Sequence, residues 1–125
     1  MDRAEYAVEL KHSGYNCCQA VLLAMADKLD ADEETLKKIG AAFGIGMGNF
    51  EATCGALCAA QMILGIQNYQ GKPLLRDARA VLEAFRAKAG ATRCADIKGL
   101  STGVTLCSCD DCVRHAVRIA EQLTE

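Results

Sequence analysis

Eight cysteines stand in a chain of 125 residues, and four of them follow closely on a side chain of the type that caps helices. Asn16 precedes Cys17, Thr53 precedes Cys54, Thr92 stands two before Cys94, and Asp111 precedes Cys112. This pattern predicts four sulfurs at helix starts, where unpaired N–H groups and the positive end of the helix dipole favour anionic sulfur. Such sulfur is either a reactive thiolate or a metal ligand. The four are far apart in sequence, so any shared site must be assembled by the tertiary fold.

The elements that would position them read as helices throughout. Apolar residues recur at three-and-four spacing, and no sustained period-two alternation marks a strand. The fold class expected is all-α, a single-domain bundle of five to six helices spanning residues 1–125, with a glycine-rich loop before a buried central helix. The first helix is expected from Asp2 to His12, ended by Ser13-Gly14, and the second from Cys17 to Leu29. Asp30 with Glu33 resembles a capping box that opens a third helix running to Ile39–Phe43. The stretch from Thr53 to Asn68 is apolar on most of its circumference and small at Gly55, Ala56, Ala59 and Ala60, which suits a central helix with close neighbours. Pro73 is placed at the start of a fifth helix ended by Gly90, a short turn runs from Thr92 to Lys98, and the last helix starts near Asp111 and reaches Leu123.

Composition narrows the function. With 51% apolar residues the chain can bury one substantial core without staples. A net charge of −2, no tryptophan and interspersed charges give no basic surface for nucleic acid. The charged start Met1-Asp2-Arg3-Ala4-Glu5 lacks an apolar signal core, and no apolar run is long enough to span a bilayer, so the expectation is a soluble cytoplasmic protein with neither a nucleic-acid nor a membrane partner. In a reducing compartment eight cysteines read as ligands, redox groups or buried filler rather than as a static disulfide framework.

The remaining motifs are weaker. Gly44-Ile45-Gly46-Met47-Gly48 lacks the Lys-Ser/Thr pair of a phosphate loop and reads as backbone needing positive φ or close helix approach, with N–H groups that could face a sulfur site. Cys109 and Cys112 form a C-x-x-C, but the two aspartates between them would raise thiol pKa rather than lower it. Cys107, Cys109, Cys112 and His115 could supply a zinc set with unusual spacing. Cys18 falls on the apolar stripe of Val21, Leu22 and Met25 and reads as packing, Cys58 lies one turn beyond Cys54, and His12 reads as a charge at a helix C-terminus.

Taken together, Asn16-Cys17-Cys18-Gln19-Ala20-Val21, Phe43-Gly44 through Gly48, Cys54-Gly55-Ala56, Cys94, and Cys112 with Val113, Ala116 and Val117 resemble the C-GCAxxG-C-C family of redox-active proteins across nearly the whole chain. The resemblance implies that Cys17, Cys54, Cys94 and Cys112 are the four key cysteines. Ala59 departs from it, since the family element C-G-A-x-x-G ends in glycine. The expected function is a small redox protein, an electron carrier rather than an enzyme with its own substrate. Cys17, Cys54, Cys94 and Cys112 would be the ligands of an iron–sulfur cluster, [2Fe–2S] or [4Fe–4S]. The alternatives are metal-free thiol–disulfide exchange by the same residues, or a zinc-binding helical module without turnover. The partners expected are an unidentified redox protein and a second copy of the chain in a homodimer.

Overall fold

The computed structural model describes residues 1–124 and contains seven α-helices. They are α1 (Arg3–His12), α2 (Cys17–Ala24), α3 (Glu33–Gly40), α4 (Gly55–Asn68), α5 (Leu75–Ala89), α6 (Cys94–Lys98) and α7 (Cys109–Leu123), with a single 3-10 turn at Ala26–Lys28. No strand occurs among the described residues; an isolated antiparallel bridge pairs Thr53 with Arg93. The fold is all-α, and the described residues hold one helix more than the five to six expected, because the turn expected from Thr92 to Lys98 closes a helix of its own.

α2, α4 and α7 pack on one another, α1 lies across α2 and α7, and α5 covers the other side of α4 and α7. The apolar stripes explain the arrangement. α2 buries every residue from Ala20 to Ala24 as well as Cys18, and α4 buries Gly55 to Leu57, Ala59, Ala60, Ile63 and Leu64. Phe85 of α5 and Val113, Ala116 and Val117 of α7 complete the core, all without solvent contact. Burial of this kind stabilises by about 25 cal/mol per Å² of apolar surface removed from water. Gly55 permits a close approach of α4 to α2 and the Phe43 segment, because a Cβ there would collide with the Phe43 carbonyl oxygen and meet the Cys18 backbone nitrogen at 3.4 Å. Among the described residues no helix is long and apolar enough to cross a membrane.

Several boundaries differ from expectation for physical reasons. α2 stops at Ala24 rather than Leu29, because the Arg3 guanidinium donates to the Ala24 carbonyl at 2.7 Å and the chain tightens into the 3-10 turn. α3 is capped by Asp32, whose carboxylate accepts from the Thr35 N–H, and not by Asp30. Pro73 lies outside α5, which begins at Leu75; Gly90, in the left-handed region at φ 90°, ends it as expected. α7 begins at Cys109, two residues before Asp111, with Ser108 as its cap.

Candidate functional site: a cavity ringed by thiols

Each of the four cysteines does sit at the start of a helix, but only one has the cap the sequence suggested. Asn16 accepts from the Gln19 N–H at 2.8 Å while the Gln19 side chain accepts from the Asn16 N–H at 3.1 Å, a complete capping box that leaves Cys17 as the first residue of α2. Cys54 is itself the residue before α4; Thr53 pairs with Arg93 instead. Cys94 opens α6 after Arg93, not Thr92, and Cys112 occupies the end of the first turn of α7, below the Ser108 cap.

The loop of residues 44–53 locks these starts together. Cys54 N–H donates to Thr92 C=O and Cys94 N–H to Ala52 C=O, both at 2.9 Å, and Ala95 N–H donates to Phe50 C=O at 2.8 Å. The same loop holds Ile45, Met47 and Phe50 in the left-handed region, at φ 54°, 62° and 70°. Non-glycine residues adopt it at a cost of about 1–3 kcal/mol each, and the cost is met by the hydrogen bonds to Ala52, Phe50 and Thr92. Gly46 is required on two counts. Its φ is 56°, and a Cβ would stand 2.6 Å from the Cβ of Cys94.

The result is a cavity of about 460 Å³. Cys17, Cys54, Cys94 and Cys112 all line it, with Cys109, Lys11 and Lys98; no carboxylate does. Cys54, Cys94 and Cys112 are buried while Cys17 and Cys109 are half-buried, and all eight cysteines are free. Lys11 is neutralised by Asp110 at 3.0 Å. Lys98 has no carboxylate within salt-bridge distance among the described residues and instead contacts the Cys109 sulfur.

Charge is distributed unequally among the sulfurs. The Cys112 thiol favours the anionic form of the Cys54 sulfur, as do the N–H groups of Ala56 and Leu57 in the first turn of α4. Together with the charge of Lys98 these outweigh burial and hold Cys54 at about 6. The same interaction, together with burial, drives Cys112 upward. Burial first, then the negative Cys54, raises Cys17 to about 11 and also raises Cys94. Among Cys17, Cys54, Cys94 and Cys112, Cys54 is therefore the sulfur whose anionic form is favoured.

The family model described as "Putative redox-active protein (C_GCAxxG_C_C)" matches residues 15–123. The chain belongs to this family. No curated protein and no solved structure matches the chain. Ala59, where the C_GCAxxG_C_C element ends in glycine, is fully buried and is accommodated without opening α4.

Other candidate residues separate cleanly. Among the described residues no three His, Cys, Asp or Glu side chains stand close enough to hold a metal ion, so Cys107, Cys109, Cys112 and His115 do not form a zinc set in this conformation. Cys109 lines the cavity, burial raises the Cys107 thiol, and burial lowers the pKa of His115. His12 lies 3.0 Å from the Asp110 carboxylate, tying α1 to the start of α7. Cys18 is fully buried against Met62, as its place on the apolar stripe predicts, and Cys58 donates to the Thr53 carbonyl at 3.9 Å. Sequence reasoning missed Lys98. Its only local signal is the following Gly99, whose left-handed φ of 73° ends α6 there and leaves the lysine in the last turn.

Proposed function

We propose that the chain is a thiol–disulfide redox protein in which Cys54 is the nucleophile and Cys112 its partner. The observation that carries this reading is that Cys54 and Cys112 share the wall of one cavity with Lys98, the surroundings favouring the thiolate at Cys54 and the thiol at Cys112. Cys54 itself is only 7% exposed, so the cavity is its approach route, and its volume sets a small-molecule or loop-sized substrate.

The chemistry balances with a substrate disulfide as the oxidant. The Cys54 thiolate attacks one substrate sulfur, forming a mixed disulfide and releasing the other half as a thiolate. Cys112, losing its proton to that leaving group, then attacks the Cys54 sulfur, forming the Cys54–Cys112 disulfide and releasing the second half. Two electrons and one proton from Cys112 leave the protein. Lys98 and the α4 N–H groups stabilise the anion at the start of the cycle, and Cys54 is the better leaving sulfur of the pair when the disulfide is reduced again.

The iron–sulfur reading keeps a specific support. Cys17 and Cys94 join Cys54 and Cys112 around the same space, and four thiols beside two lysines are a donor set of the right chemistry. Those four residues would hold the cluster, which would supply one-electron transfer. The sulfur spacing does not suit a single ion such as zinc, whose four ligands must converge to about 2.3 Å from one point.

Anaerobic purification, followed by iron, sulfide and zinc analysis and by titration with a small disulfide, separates the readings. The thiol reading expects metal-free protein that takes up one equivalent of disulfide with loss of two thiols. Stoichiometric iron and sulfide with a visible charge-transfer band, and no disulfide uptake, would replace it with the cluster.

A further inference from the structure

The cavity wall carries fixed charge of one sign. Lys11 and Lys98 line it and no carboxylate does. The acidic side chains nearest to them in sequence are engaged elsewhere: Asp96 with Arg93 at 3.4 Å, Asp111 with Arg114 at 2.8 Å, and Asp110 with both Lys11 and His12 at 3.0 Å. Lys11 is thus neutralised by a residue that does not line the cavity, and Lys98 is the lining cation left without an acidic partner among the described residues. Lys98 is half-buried in the last turn of α6, and its ammonium group contacts the Cys109 sulfur. A thiol is a weak acceptor and takes one donor of an ammonium group, which leaves the others for a ligand.

The rest of the wall is mostly apolar. Ile97 is buried and Ile45 is exposed, so the wall runs from the interior to the surface, and Tyr15 and Phe50 add half-buried aromatic area. Low-dielectric walls screen a cation poorly and focus its field on the enclosed space, which draws anions in and keeps other cations out. A volume of about 460 Å³ falls in the range of small-molecule sites.

We propose that the substrate is a small disulfide bearing a carboxylate, and that Lys98 holds the acid group while Cys54 attacks the sulfur. The inference rests on the thiol–disulfide reading above and narrows its substrate. The bond changes are those already given: Cys54 takes one substrate sulfur, the substrate S–S bond breaks, and the other half leaves as an acid-bearing thiolate. A neutral disulfide of the same length lacks the ionic partner, and a cationic one brings like charge to Lys98, so the wall selects against both.

The test uses the full reduced chain and three disulfides of nearly equal size: dithiodipropionate, bis(2-hydroxyethyl) disulfide and cystamine, which are negative, neutral and positive at pH 7. The rate of protein thiol loss with each is divided by the rate of the same disulfide with dithiothreitol, which removes differences in intrinsic reactivity. Wild type is expected to prefer negative over neutral over positive, with about tenfold or more between the ends at low salt and a smaller span as salt is raised. Lys98→Met is expected to bring the ratio close to unity and Lys98→Arg to keep it. Each ratio compares disulfides on one protein, so a change in Cys54 reactivity divides out. Equal or inverted corrected rates on wild type, or a preference that Lys98→Met leaves in place, overturn the inference and leave the parent reading intact. No thiol loss with any of the three overturns both. The wild-type order and its salt dependence decide even if Lys98→Met folds poorly.

Discussion

Replacing Cys112 by alanine removes the thiol that donates to Cys54 and nothing else that faces it. A hydrogen bond to a charged group contributes about 1.5–3 kcal/mol, and one pKa unit corresponds to about 1.4 kcal/mol, so Cys54 should rise by about 1–2 units from its present value of about 6. A single-pH alkylation rate would hide this. The fall in thiolate fraction at pH 7 is offset by the greater nucleophilicity of a more basic sulfur, which follows a Brønsted coefficient of about 0.4–0.5. The measurement is therefore the pH midpoint of Cys54 alkylation, followed on its own peptide. It should stand near 6 in wild type, near 7–8 in Cys112→Ala, and between the two in Cys112→Ser, whose hydroxyl still donates. A wild-type midpoint at the ordinary thiol value of 9.0, or one that Cys112→Ala leaves in place, would refute the assignment of the hydrogen bond as the main cause.

Three further outcomes follow from the same geometry. Because the folded pKa of Cys54 lies below its unfolded value, the unfolded chain binds the extra proton between about pH 6 and 9, and stability should rise with pH by up to ~1.4 kcal/mol per unit across that window; denaturant unfolding of wild type against Cys54→Ala should show that slope lost in the variant. Gly46→Ala forces a Cβ against Cys94 and a side chain at φ 56°, and the left-handed and overpacking penalties together predict a loss of about 2–5 kcal/mol in thermal or chemical unfolding. Asn16→Ala removes the capping box and the Asn16 donations to Gly40 and Ala41 carbonyls at 3.0 and 3.2 Å, so unfolding should cost about 1–2 kcal/mol less while helix content stays nearly constant by circular dichroism.

Local chemistry was legible in part, for Asp32 rather than Asp30 caps α3 and Ser108 rather than Asp111 caps α7. The stripes of α2, α4 and α7 and the Asn16 cap depend on residues three or four apart, and the sequence carries both, while the reciprocal bond from Gln19 emerged only in the structure. The immediate partners of the thiols do not. Cys54 takes the capping position because its N–H is held by Thr92, thirty-eight residues away by number, and Thr53 is drawn into a bridge with Arg93. α2 looks continuous to Leu29 by apolar spacing, yet Arg3 of another helix terminates it at Ala24. Lys98 meets the Cys109 sulfur where the loop from Gly99 to Leu106 folds back on α6, a packing fact with no periodic signature. Four cysteines could be nominated from their helix starts, whereas the inequality among them comes from which neighbours the fold supplies.

The most direct measurement is a stoichiometric reaction with an aromatic disulfide whose released thiolate is coloured. With one equivalent of 5,5′-dithiobis(2-nitrobenzoate), wild type should release two thiolates as the protein closes its own disulfide, and Cys112→Ala should release one and keep the other half bonded to Cys54. Release of a single thiolate by wild type, or a stable adduct on a sulfur other than Cys54 in the variant, would contradict the account.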